Sequence, residues 1–178
     1  MKLKMLISTI FSVVLMTACS EENKNEENSS IKNESREIKE LVQDYSDRNI
    51  TADSASITSK QLLVKEIDGN EQVYDLPKDE FFVSIAPYIN ETHPCENHSS
   101  TGCQGEMVSE QFDVYIEDAK GNVLVDDTLK TEENGFIDLW LPREQSFNIK
   151  IEHQGKAIES EFSTYENDGT CITTMKLI

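Results

Sequence analysis

Hydrophobic positions along this chain change period twice. They run almost unbroken from Met5 to Met16 and recur every three to four residues around 38–45. From Ala55 onward they alternate. Ile38, Leu41, Val42 and Tyr45 fall at i, i+3, i+4 and i+7, which predicts an amphipathic helix within 36–53. Its apolar stripe covers about three turns, too short to be stable without something to pack on. Ile57 to Ile67 is expected as a strand, Asp68-Gly69-Asn70 as a hairpin turn and Gln72 to Leu76 as the return. Phe81 to Ala86 reads as a strand buried on both faces. Phe112 to Glu117 alternates and turns through Ala119-Lys120-Gly121-Asn122 into Val123 to Val125. Phe136 to Leu141 stops at Pro142. Phe147 to Ile151 turns at Gln154-Gly155-Lys156 into Ile158 to Phe162, and Cys171 to Leu177 closes the chain. Many short strands at regular spacing predict a mainly β fold, an antiparallel β-sandwich with a short N-terminal helix.

Ahead of this domain, expected over 55–178, the pattern is of another kind. Lys2 and Lys4 precede a short apolar run, which predicts a secretory signal peptide over 1–18. The run falls short of the roughly 20 residues that a membrane-spanning helix needs. It ends in Leu15-Met16-Thr17-Ala18-Cys19, which resembles a bacterial lipobox and makes Cys19 the lipidated residue. The alternative is an ordinary signal peptide cut near Ala18. Residues 19–35 are rich in Glu, Asn, Ser and Lys with one apolar residue, Ile31, and are expected as a disordered tether. Loss of residues 1–18 removes Lys2 and Lys4, leaving 14 basic against 34 acidic residues and a formal net charge of −20. Such a charge excludes a nucleic-acid partner, which needs a basic footprint. It also opposes docking on anionic lipid, so contact with the membrane is expected through the lipid anchor alone.

Between about Ile89 and Gln111 lie some 20 residues without a regular pattern, long enough to suggest function or disorder. The segment reads His93-Pro-Cys95-Glu-Asn-His98-Ser-Ser-Thr-Gly-Cys103-Gln-Gly-Glu106. Two of the three thiols left after Cys19 lie here, with two of the three histidines. One reading is a Cys95–Cys103 disulfide staple. The other draws in Cys171, at the head of the last strand, because loops gather at the ends of a sandwich. Three thiols and one imidazole then converge, a soft donor set suited to Cu(I), with zinc as the competitor. His98 is the expected nitrogen ligand and His93 a weaker candidate. Glu106 is a weak candidate to hydrogen-bond a ligand, and Met107 is a weak candidate for a thioether donor, better suited to packing; Met175 is expected in the core and His153 at the surface. Two thiolates can also pass two electrons to two Cu(II) ions, leaving a disulfide that the third thiol could open.

Two resemblances add to this. The series strand, DxxGN, strand, NGFIDLWLP, strand, HQGK, strand between Phe112 and Phe162 resembles the transthyretin-type or carboxypeptidase-regulatory-type β-sandwich, which puts the expected fold among transthyretin-like or Ig-like sandwiches and bears on fold alone. "FFVSIAPYINETHPCENHSSTGCQGE", "NGFIDLWLPR" and "STYENDGTCITTMKL" closely resemble the CueP family of bacterial extracytoplasmic copper-binding proteins, from about Ala55 to Leu177. The resemblance implies a copper metallochaperone whose three cysteines match Cys95, Cys103 and Cys171. It would hold Cu(I), reduce Cu(II) and supply an extracytoplasmic cuproenzyme, contributing to copper homeostasis and resistance. A Cu(II)-reducing activity apart, no conventional enzyme is implied. The short N-terminal region leaves the oligomeric state open. Two other classes stay open at this stage: a thiol-disulfide oxidoreductase acting on proteins, which lacks the CxxC spacing, and a stapled structural β-domain.

Overall fold

Strand β4 (Glu80–Ile85) is buried along almost its whole length, on both faces. A computed structural model describes residues 22–178, with side chains from Glu34 onward; the expected signal peptide and Cys19 lie outside the described residues. β4 is the middle of a three-stranded sheet ordered β11-β4-β8, with β8 at Ile137–Pro142 and β11 at Cys171–Ile172. Phe81, Val83 and Ile85 face one core. They meet Phe112, Val114 and Ile116 of β6 (Gln111–Asp118) and Phe147, Ile149 and Ile151 of β9 (Ser146–His153). With β7 (Val123–Lys130) and β10 (Lys156–Ser163), these form a four-stranded sheet ordered β10-β9-β6-β7.

Phe82 points the other way, into a second core with Ala55, Ile57, Leu62 and Val64. These belong to a sheet ordered β3-β2-β1-β5, built from β1 (Ser54–Ile57), β2 (Gln61–Lys65), β3 (Glu71–Asp75) and β5 (His98–Ser99). Helix α1 (Glu22–Ser46) closes this core with Ile38, Val42 and Tyr45, the stripe its sequence period requires. Trp140, paired with Phe82 across β8 and β4, meets it edge-on at 5.2 Å between ring centroids. Lys39 of α1 lies 5.3 Å above the same indole and forms an ion pair with Glu80. Each fully buried phenylalanine here contributes on the order of 1.5–3 kcal/mol.

The mainly β, sandwich-like expectation holds, with three refinements. The expected strand from Ile57 to Ile67 breaks at Thr58–Lys60, where the Thr58 hydroxyl accepts the Gln61 amide at 2.9 Å and turns β1 back into β2. The last strand is only two residues long and runs parallel to β4, a direction continued by the parallel bridge between Tyr88 and Lys176. The expected irregular 90–110 loop contributes β5, paired with β1. The helix also differs from the 36–53 expectation. It begins at Glu22, inside the segment expected to be a disordered tether, where good helix formers such as Glu and Lys recur without Pro or Gly. It ends at Ser46 because Arg48 takes φ 59°, and the Arg48 and Asn49 amides donate back to the carbonyls of Tyr45 and Asp44. Among the described residues no helix is long and apolar enough to cross a membrane.

Two backbone contacts fasten the loop to this frame. Gly105 donates to Asn134 O at 2.7 Å. A Cβ on Gly105 would lie 2.4 Å from Gly135 O, and one on Gly135, whose φ is +80°, would lie 2.8 Å from Gly105 O. Gly135→Ala therefore combines left-handed strain with a backbone clash and is expected to destabilise by about 2–4 kcal/mol in urea titration. Gly69→Ala, with positive φ but open space, is expected to lose only about 1 kcal/mol.

Glu132, in the β7–β8 turn, accepts from Gln43 Nε2 at 3.2 Å. Burial, then the nearby Asp47 carboxylate, raises its pKa from 4.5 to about 7. The folded chain therefore holds this proton more tightly than the unfolded chain. Its stabilising contribution is complete below about pH 4.5 and is lost as pH rises through about 7. Thermal melts from pH 4.5 to 8 should show wild type losing more stability than Glu132→Gln; parallel curves would contradict this.

Candidate metal centre

The thiol loop lies where β4 leaves its sheet. Ala86, just past β4, donates to Ile172 O at 2.9 Å, and Ser84 donates to Thr170 O at 2.8 Å. This parallel pairing sets Cys171 beside the end of β4. Cys171 in turn donates its amide to Glu96 O at 3.0 Å, so the final strand bonds directly to the 93–106 segment. Gly169 allows that approach: a Cβ there would lie 2.5 Å from Glu96 O. Thr170, fully buried, accepts the His98 amide at 2.9 Å and donates its hydroxyl to Ile57 O at 2.6 Å. One side chain thus ties β5 to β1 and to the start of β11.

The same bonds fix the donor atoms. His98 is fully buried, its ring edge-on to Phe136 at 4.6 Å and tilted against Phe82 at 6.1 Å. After His98 the chain turns tightly, with Cys103 N donating to Ser99 O at 2.8 Å, which returns Cys103 to the site. Cys95, Cys103 and Cys171 are free thiols. Cys95 Sγ and Cys103 Sγ are 3.4 Å apart, and Cys171 Sγ lies 3.9 Å from His98 Nδ1. Ligand atoms of His98, Cys103 and Cys171 all lie within 4.8 Å of one another, and those of His93, Cys95 and Cys103 do the same. Cys103 belongs to both groups. Its floor is apolar: Ala86, Phe136 and the cysteines themselves form a small separate cluster.

The three sulfurs are electrostatically unequal. Cys103 is pushed down to about 2, chiefly because Cys171 donates a hydrogen bond to it; His98, the Ser99 amide and His93 add to this, and burial opposes it. Cys171 is pushed up by holding the proton that it offers to Cys103, and by burial. Burial raises Cys95 as well. The hydrogen bonds thus favour the thiolate at Cys103 and the protonated thiol at Cys171 and Cys95. Two imidazole nitrogens, His98 Nε2 and His93 Nε2, are buried without a hydrogen-bond partner.

Of the residues expected from sequence, Cys95, Cys103, Cys171 and His98 come together. His93, the weaker candidate, stands beside Cys95 and Cys103 as well, 6.2 Å from Phe136. Glu106 does not sit on a ligand: its carboxylate accepts from the amides of Ile89, Asn90 and Glu91 and from the Asn90 side chain. These donors, the Asn90 amide foremost, lower its pKa to about 2, and they pin the loop to the end of β4. Met107 and Met175 are in the main core. His153 Nδ1 meets Gln111 O at 2.8 Å, well away in sequence and contacts from the thiols. Sequence reasoning missed Phe136 and Thr170, although Phe136 follows an Asn-Gly turn and Thr170 adjoins a candidate ligand.

Comparison with known proteins gives the family. Residues 37–176 match the family described as "Periplasmic copper-binding protein CueP". A solved structure described as "Crystal Structure of S.CueP" superimposes with a TM-score of 0.74 at 32% sequence identity, covering 91% of this chain and 100% of that one. No curated protein matches. With the family matched over most of its length, the chain belongs to the CueP family of periplasmic copper-binding proteins.

Proposed function

We propose that this chain is an extracytoplasmic lipoprotein, anchored through Cys19, that holds Cu(I) on Cys95, Cys103, Cys171 and His98. It sequesters the ion or delivers it to a cuproenzyme, and it reduces Cu(II). The observation that carries the reading is the fully buried His98 ring, its Nδ1 3.9 Å from Cys171 Sγ, in a group with Cys103 and Cys171 whose ligand atoms all lie within 4.8 Å of one another. Sulfur and imidazole donors suit both Cu(I) and zinc. The half-closed apolar surroundings and the close sulfurs favour a low-coordinate Cu(I) ion. The family's copper binding supports the same choice.

The 3.4 Å approach of Cys95 and Cys103 supports the redox half of the proposal. Two Cu(II) ions take one electron each from the two sulfurs. The S–S bond forms, the Cys95 thiol loses its proton while Cys103 reacts as the thiolate, and two Cu(I) ions result. Cys171 is then the thiol placed to reopen the bond by exchange.

Titrating fully reduced protein with Cu(I) against a chromophoric chelator should show tight one-to-one binding, with zinc unable to displace it. Cys171→Ser should weaken binding by about 100-fold or more, beyond the usual loss from removing a residue that only supports a ligand. Binding no tighter than that of Cys171→Ser would remove the copper reading.

Anaerobic addition of two equivalents of Cu(II) to reduced protein should yield Cu(I) and consume two thiols per chain. Cys95→Ser should abolish the thiol loss. Unchanged thiol counts in wild type would leave a holding function without reduction.

A further inference from the structure

The donors do not form one polyhedron but two triads that share a sulfur. His98, Cys103 and Cys171 are 0%, 8% and 7% exposed, so the inner triad is closed to solvent. His93 and Cys95 are half-buried, so the outer triad, His93, Cys95 and Cys103, reaches the surface. The two imidazoles flank one ring, Phe136, at 4.6 and 6.2 Å, and each keeps a buried Nε2 without a partner. Among the described residues His93 Nε2 has no hydrogen-bond partner, and holding an inner-triad ion does not require it.

We propose that the outer triad is a transfer station: Cu(I) enters and leaves through His93, Cys95 and Cys103, and rests on His98, Cys103 and Cys171, with Cys103 bound throughout. This rests on the copper reading above and divides its ligand set into a resting place and a doorway. In the inward step the ion keeps its bond to Cys103 Sγ. It breaks its bonds to Cys95 Sγ and the His93 ring nitrogen and forms bonds to Cys171 Sγ and the His98 ring nitrogen. The proton displaced from Cys171 goes to the Cys95 thiolate that the ion leaves behind. Copper stays Cu(I), and no electron moves. The step is short because the ligand atoms of each triad already lie within 4.8 Å of one another around the shared sulfur. Without the outer triad, an incoming chelator complex must reach ligands that are under a tenth exposed, or the loop must open.

The inference has a kinetic signature of its own. A ligand of the resting site, when removed, speeds release; a doorway ligand, when removed, slows both loading and release. Cu(I) transfer from its bicinchoninate complex to the reduced full chain, and back to excess chelator, is followed by stopped-flow absorbance. His93→Gln and, as an independent second variant, Cys95→Ser should each slow both directions by about tenfold. Cys171→Ser should instead release faster. Wild-type rates in His93→Gln, or faster release in both variants, would overturn the station. So would two Cu(I) ions bound per chain, since both triads would then be resting sites. Failure of wild type to bind Cu(I) at all would be a failure of the copper reading, seen in the equilibrium titration before any rate is measured. Far-ultraviolet circular dichroism of each variant confirms that the fold is kept.

Discussion

The two-residue parallel pairing of β11 on β4 is the constraint on which the site depends. β4 is held from both sides, by Phe81, Val83 and Ile85 in one core and by Phe82 in the other, and it cannot shift without disturbing both. Hydrogen bonds from Ser84 and Ala86 to Thr170 and Ile172 pass that rigidity to Cys171. From Cys171 and Thr170 it passes on to Glu96 and His98. A loop that would otherwise wander is thereby referred to the most deeply packed strand of the molecule. For a metal site this matters because soft ligands released from their frame would collapse into a disulfide or bind an ion in several ways.

The site concentrates polar groups that the fold does not satisfy. His98 and His93 each keep a buried Nε2 without a partner. A fold selected only for stability would pair or expose such groups. Here they are enclosed by Phe136, Phe82 and Ala86, which lower the local dielectric and keep water from competing for a metal. Glu106 and Thr170 show how the surrounding structure supports this: neither touches a donor sulfur, and both hold backbone that carries donors.

Much of this was legible in the chain. Alternation predicted the strands from Phe81 to Phe162, and the Ile38–Tyr45 stripe predicted a helix face that does pack on the second core. The cysteines and His98 stood out because soft donors are few and clustered in a loop with no other evident purpose. Glu106 sits elsewhere than beside a ligand because three amides at 89–91, brought to it only by the folded loop, are its partners. β5 was invisible because two residues carry no period, and the break at Thr58 because a side-chain hydroxyl, not Gly or Pro, makes the turn.

Sequence alone determined which atoms could bind a soft metal and which segments would be strands, since both follow from local chemistry and local periodicity. The tertiary structure decided how those atoms are grouped. That Cys103 belongs to two triads, that His98 is sealed while His93 is not, and that Cys171 lies beside Glu96 all follow from β11 meeting β4 in parallel and from glycines pressed against backbone. Such contacts join residues far apart in the chain, Ser84 with Cys171 and Glu96 with Gly169 among them, and no period along the chain records them.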